Sequence, residues 1–149
     1  MIRTIKLAAI ALLFSGLVSC DKNDTPADPN ITFKATLVGT SEVPSNPSTG
    51  TGTSTLVFNN DTKIFTVSTT YTGLSGTATA SHIHRGAVGT APAGNIIFPF
   101  TNVTVSPIVY TSAAIDAAQE ADLRAGLWYA NVHTALYPGG EIRGQLIQQ

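Results

Sequence analysis

From Ile31 onward, apolar and polar residues alternate with a period of two, broken by short clusters of Gly, Pro, Asn and Ser. That period puts successive side chains on opposite faces of a strand, and the clusters mark turns. Phe33, Ala35 and Leu37 set against Thr32, Lys34 and Thr36 predict a first strand, followed by a loop over 39–52 that holds Pro44 and Pro47. Residues 53–58 and 63–71 predict a hairpin around Asn59-Asn60-Asp61-Thr62, its second arm placing Phe65, Val67, Thr69 and Tyr71 opposite Ile64, Thr66, Ser68 and Thr70. Gly73-Leu74-Ser75-Gly76 turns the chain into a strand over 80–85; a loop over 86–94 and strands near 95–100 and 103–110 follow. Only 116–125 has helical composition, with Asp116 as N-cap, Leu123 as its core contact and Gly126 as a left-handed stop. Seven or eight strands with one short helix predict an all-β Greek-key sandwich or barrel.

The segment 126–145 carries most of the polar chemistry. Leu127, Tyr129, Asn131 and His133 fall on one face of a strand, and Trp128, Ala130, Val132 and Thr134 on the other, which predicts a half-buried strand with Trp128 in the core. After the turn at Pro138-Gly139-Gly140, Ile142, Gly144 and Leu146 oppose Glu141, Arg143 and Gln145. On the 80–85 strand, His82 and His84 share a face opposite Ile83, so these segments contain all three His of the chain. We expect them to meet in one polar cluster of His82, His84, Asn131, His133, Glu141 and Arg143, with the Glu141 carboxylate on Arg143 or on a His.

Two His at i and i+2 on a strand have Cα atoms roughly 6.5–7 Å apart on one face, close enough to converge on one ion. With His133 as a third ligand they would form a three-His site with an open position, suited to copper or zinc. The same side chains can instead satisfy one another in a hydrogen-bonded network that fixes strand register, or stand as unrelated histidines. A network bonds every imidazole nitrogen to protein, whereas a metal site leaves convergent nitrogens free. Apart from copper or zinc, no cofactor is expected. Ser81 beside His82 is no catalytic pair, because neighbours on a strand point to opposite faces. Glu141 and Arg143 read as an ion pair rather than a general acid with an electrophile. No enzymatic activity is expected.

The first 30 residues have a different character. Arg3 and Lys6 precede an apolar run over 7–18, shorter than the roughly 20 residues a permanent span needs, so 1–19 reads as an export signal. Leu17-Val18-Ser19-Cys20 resembles a bacterial lipobox, in which the Cys becomes the lipidated N-terminus. The other reading is an ordinary secretory peptide whose Cys is incidental. Cys20 is the only cysteine, so no intrachain disulfide forms and lipidation would leave no thiol nucleophile. Residues 20–30, with Pro26 and Pro29, read as a tether, and their acidic start resembles tags that take some bacterial lipoproteins to the cell surface. The 31–149 remainder suits one domain. Charged residues are only 11 % of the chain, and two of the eight basic ones lie in the leader, leaving six against nine acidic residues and no basic stripe for nucleic acid. The expected partners are the membrane, through a lipid on Cys20, and an extracytoplasmic protein or ligand. The expected location is the cell envelope, at the outer membrane or the surface.

Four segments, SEVP from Ser41, SHIHRG from Ser81, LRAGLWYANVHT from Leu123 and PGGEIRGQ from Pro138, together resemble the CHRD domain. That domain is named for chordin, a secreted antagonist of bone morphogenetic proteins, and also occurs in exported bacterial proteins. Where the family pattern is AHIHGPA, this chain has Ser81 and Arg85 and lacks the Pro, while the His pair is intact. The resemblance implies a secreted β-domain with no established enzymatic reaction. A weaker likeness, in Thr72-Gly73-Leu74-Ser75-Gly76 followed by His82-Ile83-His84, is to the copper-binding stretch of Cu/Zn superoxide dismutase. Only the His pair carries over, because that enzyme needs several further His and an Asp, so dismutase activity is not implied.

Overall fold

A computed structural model describes residues 27–90 and 95–149. The export signal, Cys20 and most of the tether lie outside them. The strands are β1 (Asn30–Val38), β2 (Thr51–Asn59), β3 (Phe65–Thr72), β4 (Ala78–Arg85), β5 (Ile96–Pro99), β6 (Ile108–Thr111), β7 (Trp128–Thr134), β8 (Ile142–Gln145) and β9 (Ile147–Gln148). Among the described residues a single α-helix, α1 (Ala117–Arg124), precedes β7. The strands form one antiparallel sheet in the order β5-β4-β7-β8-β1-β2-β3-β6, with β9 pairing β1. The sheet is curled into a half-barrel, so its ends face each other: the Phe98 ring from β5 lies 4.9 Å from Phe65 of β3 and 6.2 Å from Tyr110 of β6. The all-β class, the barrel-like curl and the single short helix agree with the sequence pattern; the two-residue β9 had no signal in it.

Burial of one face drives this curl. Phe33, Leu37, Leu56, Phe58, Phe65, Ile83, Ile108, Trp128, Val132 and Ile142 are fully enclosed on the concave side, each contributing on the order of 1.5–3 kcal/mol relative to exposure. The hairpin β2–β3 turns where expected, with Asn59 Oδ1 accepting from the Asp61 and Thr62 amides. Helix α1 starts with a capping box between Asp116 and Gln119, buries Leu123 alone, and ends before Gly126 at φ +68°. Lys63 and Arg124 both pair with Glu120, and Arg85 pairs with Asp122, so the helix is pinned to the β2–β3 turn and to the end of β4. Among the described residues no helix is long and apolar enough to cross a membrane.

Two expectations need correction. The strand expected over 103–110 begins only at Ile108, because Pro107 cannot donate to a ladder; Val103 to Pro107 are tied to β3 through Tyr71, whose hydroxyl donates to the Val103 carbonyl and whose amide donates to Ser106 Oγ. Strand β7, expected to be half-buried, is buried at every position on both faces. Its convex face is roofed by three loops, and that roof creates the site described next.

Candidate functional site

Strand register lays out the polar residues as a grid. Across β4 and β7, His84 faces Tyr129, His82 faces Asn131 and Ala80 faces His133; across β7 and β8, Asn131 faces Arg143. Side chains directly opposite in an antiparallel pair have Cβ atoms about 4.5–5.5 Å apart and diagonal ones about 7–8 Å, so this register sets His82 against Asn131 and places His133 diagonal to His82, within reach of its ring. Loop 86–90 folds over them: Arg143 donates to the Thr90 carbonyl at 2.9 Å and the Ala87 carbonyl at 3.3 Å, and Gln145 donates to the Gly86 carbonyl at 2.8 Å. A Cβ at Gly86 would stand 3.0 Å from Thr90 Oγ1 and 3.2 Å from the Tyr129 ring, so the loop packs tightly on the site at this glycine. The loop after β1 covers a second side through Glu42 and Asn46, whose amide donates to the Gly140 and Glu141 carbonyls. The turn before Gly140 closes the third side, and there His133 Nδ1 donates to the Pro138 carbonyl at 3.0 Å.

Inside this enclosure the three imidazoles converge. One nitrogen from each of His82, His84 and His133 lies within 4.8 Å of the others, and His82 Nδ1 is 3.1 Å from His133 Nε2. Because His133 uses its Nδ1 proton on Pro138, its Nε2 carries a lone pair, and the close contact is a hydrogen bond donated by His82. His84 is 5 % exposed, and neither of its ring nitrogens has a hydrogen-bond partner. Its ring stacks on Tyr129 at 4.9 Å with planes 3° apart, and the Arg143 guanidinium lies 3.4 Å from the Tyr129 centroid. Six of the seven buried side-chain atoms without partners among the described residues belong to this compartment: Glu42 Oε1, both His84 nitrogens, the Tyr129 hydroxyl and both polar atoms of the Asn131 amide. Unsatisfied buried polar groups cost roughly 1–3 kcal/mol each, so their concentration here needs a reason.

The polar cluster is not one connected group as expected. Glu141 meets neither Arg143 nor a His: its carboxylate accepts from Ser48 Oγ, the Ser75 amide and Ser75 Oγ, each at 2.7 Å, and from Thr134 Oγ1 at 2.5 Å. It joins the loops before β2 and before β4 to the end of β7, outside the histidine compartment. Arg143, expected to pair with it, is held by two carbonyls and an aromatic face instead.

Residues 33–146, more than half of the chain, match the family model of the CHRD domain. The chain belongs to the CHRD domain family. Comparison with curated proteins and with solved structures returns no match. The CHRD match spans every strand and loop that builds the compartment, from Phe33 in β1 to Leu146 after β8.

Charge within the CHRD domain's compartment follows from burial. Burial pushes His82 down to about 4, helped by the neighbouring His133. Burial likewise pushes His84 down to about 4, with His82, His133 and Arg143 adding to the shift and the Asn131 amide, close by but short of a well-formed hydrogen bond, opposing it. His133 is lowered by burial against the opposing bond to Pro138. At neutral pH all three are neutral and offer lone pairs. Glu42 is pushed up to about 7 by burial, against the opposing charge of Arg143 and the Val43 amide. Burial alone would raise Glu141 as well, but its bonds from Thr134, Ser48 and Ser75 hold it below the ordinary carboxylate range.

Two members of the compartment escaped the sequence reading. Tyr129 was legible as a neighbour of Asn131 on one strand face, yet nothing marked it as the ring between His84 and Arg143. Glu42 sits in the SEVP segment, where position alone gives no hint that Gly140, at φ +130°, folds directly onto its carboxylate.

Proposed function

We propose that this protein is a lipid-anchored, envelope-exposed CHRD binding module, without catalysis of its own, whose ligand is a copper or zinc ion held by His82, His84 and His133. The observation that carries the reading is the convergence of three neutral imidazoles within 4.8 Å, with both nitrogens of the buried His84 left unbonded. Nitrogens on one ion at about 2.0–2.1 Å lie roughly 3.3–3.6 Å from each other. The 3.1 Å contact between His82 and His133 is already near that spacing, and shifting the His82 proton from Nδ1 to Nε2 turns this hydrogen bond into two facing lone pairs for the ion. His133 also has the outer bond that metal-ligating imidazoles use to fix their tautomer, here to Pro138. A self-satisfied network is disfavoured by the unbonded nitrogens of His84.

Family membership supports an extracellular role, and the sequence up to Cys20 supports delivery to the envelope by a lipid. The fold suits such an anchor. The chain enters β1 at Asn30, beside the β2–β3 turn, while the Pro138 to Gly140 turn lies near the other end of β1, which is nine residues long, roughly 30 Å away. A tether at one pole leaves the opposite pole open to its surroundings.

Metal analysis of purified protein, with thermal unfolding in added zinc, in added copper and in chelator, tests the reading. Bound ion should raise the unfolding temperature, chelator should reverse the gain, and His84→Ala should abolish it. Identical unfolding under all three conditions would sink the metal reading. Cys20→Ser should move the protein out of the membrane fraction and remove acyl labelling; unchanged labelling would sink the anchor.

A further inference from the structure

Resting on the three-His reading, we propose that the site selects copper in its cuprous state over divalent ions, and that Arg143 sets this preference by its charge. The three ligands are neutral imidazoles, and no thiolate or carboxylate stands among them. The fixed charge nearest the histidines is positive: Arg143 is 2 % exposed, and only two stacking steps, 3.4 Å to the Tyr129 ring and 4.9 Å on to His84, separate its guanidinium from a ligand. The two acidic groups nearby do not reach the ligands to offset it. Glu141 is saturated by four hydrogen bonds from Ser48, Ser75 and Thr134, and Glu42, packed under Gly140, meets the charge of Arg143 rather than a histidine.

Charge then decides between ions that imidazole binds comparably well. The cost of taking an ion out of water grows with the square of its charge, so a divalent ion pays four times the monovalent penalty in the same enclosure. Repulsion from Arg143 grows in proportion to charge and is doubled. Two close nitrogens and a third nearby satisfy a three-coordinate cuprous ion without an anion, whereas zinc in this place needs a fourth, preferably negative, ligand.

The test compares affinities on protein carrying Cys20→Ser, so that no thiol competes. Cuprous ion is supplied anaerobically with ascorbate and competed against bicinchoninate; zinc is competed against a chromophoric zinc chelator. One cuprous ion per chain should bind, at least about a hundredfold more tightly than zinc. Arg143→Gln, which keeps donors for the Thr90 and Ala87 carbonyls, should tighten zinc by about the square of its effect on cuprous ion, for example about tenfold against about threefold. Zinc binding as tightly as cuprous ion in the parent, or equal gains for both ions in the variant, overturns the proposal while the three-His site stands. Binding that survives His84→Ala undiminished overturns the site itself. Should Arg143→Gln fail to fold, the parent comparison decides alone.

Discussion

In β1, β2 and β3 the residues that face away from the core, among them Lys34, Thr36, Thr53, Thr66 and Thr70, stand in solvent. In β7 the corresponding residues, Tyr129, Asn131 and His133, are 1 %, 1 % and 7 % exposed, nearly as enclosed as Ala130 and Val132 behind them. Both halves of the sheet alternate with the same period, and in both the alternate face is polar. The difference lies in what covers that face. Water solvates the threonines at no cost, whereas the loops over β4, β7 and β8 exclude it and leave polar groups to be satisfied from within. A polar face is therefore a surface in one half and an interior in the other, and only the interior holds imidazoles close together without water.

The largest break in this comparison comes from the seam where the halves join. Gly144 in β8 passes so close to β1 that a Cβ there would overlap the Thr36 carbonyl, a backbone atom that cannot rotate away. Gly144→Ala should cost about 3 kcal/mol in urea unfolding, since overpacking against backbone is relieved only by parting the strands. A loss under about 0.5 kcal/mol would mean that β8 and β1 part easily at this point.

Next comes Glu141, which braces the covered half from outside the compartment. Glutamine keeps one acceptor oxygen and turns an NH2 group toward hydroxyl and amide donors, so Glu141→Gln should destabilise by about 2 kcal/mol. The pH dependence separates this brace from the histidines. Glu141 is held below its ordinary value of 4.5 in the folded state, so its contribution is full above that value and is lost as pH falls through the folded value. His82 and His84 are pushed down from 6.5 to about 4 by burial, so the folded state binds fewer protons than the unfolded one. Metal-free stability is then full above about pH 6.5 and declines toward pH 4. His84→Ala should flatten the decline between pH 6.5 and 4, and Glu141→Gln only the part below 4.5. A parent curve flat from pH 7 to 5 would mean that the imidazoles are hydrated.

How much of this was legible follows the same division. Phe33, Ala35, Leu37, Leu56, Phe58, Phe65 and Val67 lie in the core as their alternation requires, and the Asp116 cap and Gly126 stop bound the helix, because local chemistry determines these features. The meeting of His82, His84 and His133 was expected from shared faces, and cross-strand register delivers it. The burial of β7 was not legible, since alternation reports which residues share a face and is silent on what covers it. For the same reason Glu141 and Arg143 were assigned to each other: two residues apart on an extended segment, they take different partners once separate loops descend on them. Glu42 lies 101 residues from Arg143, the β8 residue whose charge it meets, and no local pattern carries that distance.

A smaller effect is expected at the helix exit. Gly126 holds φ +68°, and an added Cβ would also stand 3.3 Å from Ile147 Cδ1. Gly126→Val should therefore cost about 1 kcal/mol or more, from backbone strain at the entry to β7. Unchanged stability would show that the turn relaxes freely.

The smallest effect, at Thr70, sharpens the comparison most directly when it is set beside the same substitution at its β3 neighbour Thr69. Thr70 faces solvent and shares a 2.8 Å hydroxyl contact with Thr53, while Thr69 faces inward and shares one of 2.9 Å with Ser54. In Thr70→Val the Thr53 hydroxyl turns to water, and valine suits a strand at least as well, so the change should stay within about 0.5 kcal/mol. In Thr69→Val the Ser54 hydroxyl, fully enclosed, loses its partner with no water to replace it, at a cost of roughly 1–3 kcal/mol. The shape change is the same in both, so the gap between the two variants measures what enclosure does to a hydroxyl. Equal stabilities would mean that water reaches Ser54, and the contrast between covered and open polar faces would lose its energetic basis.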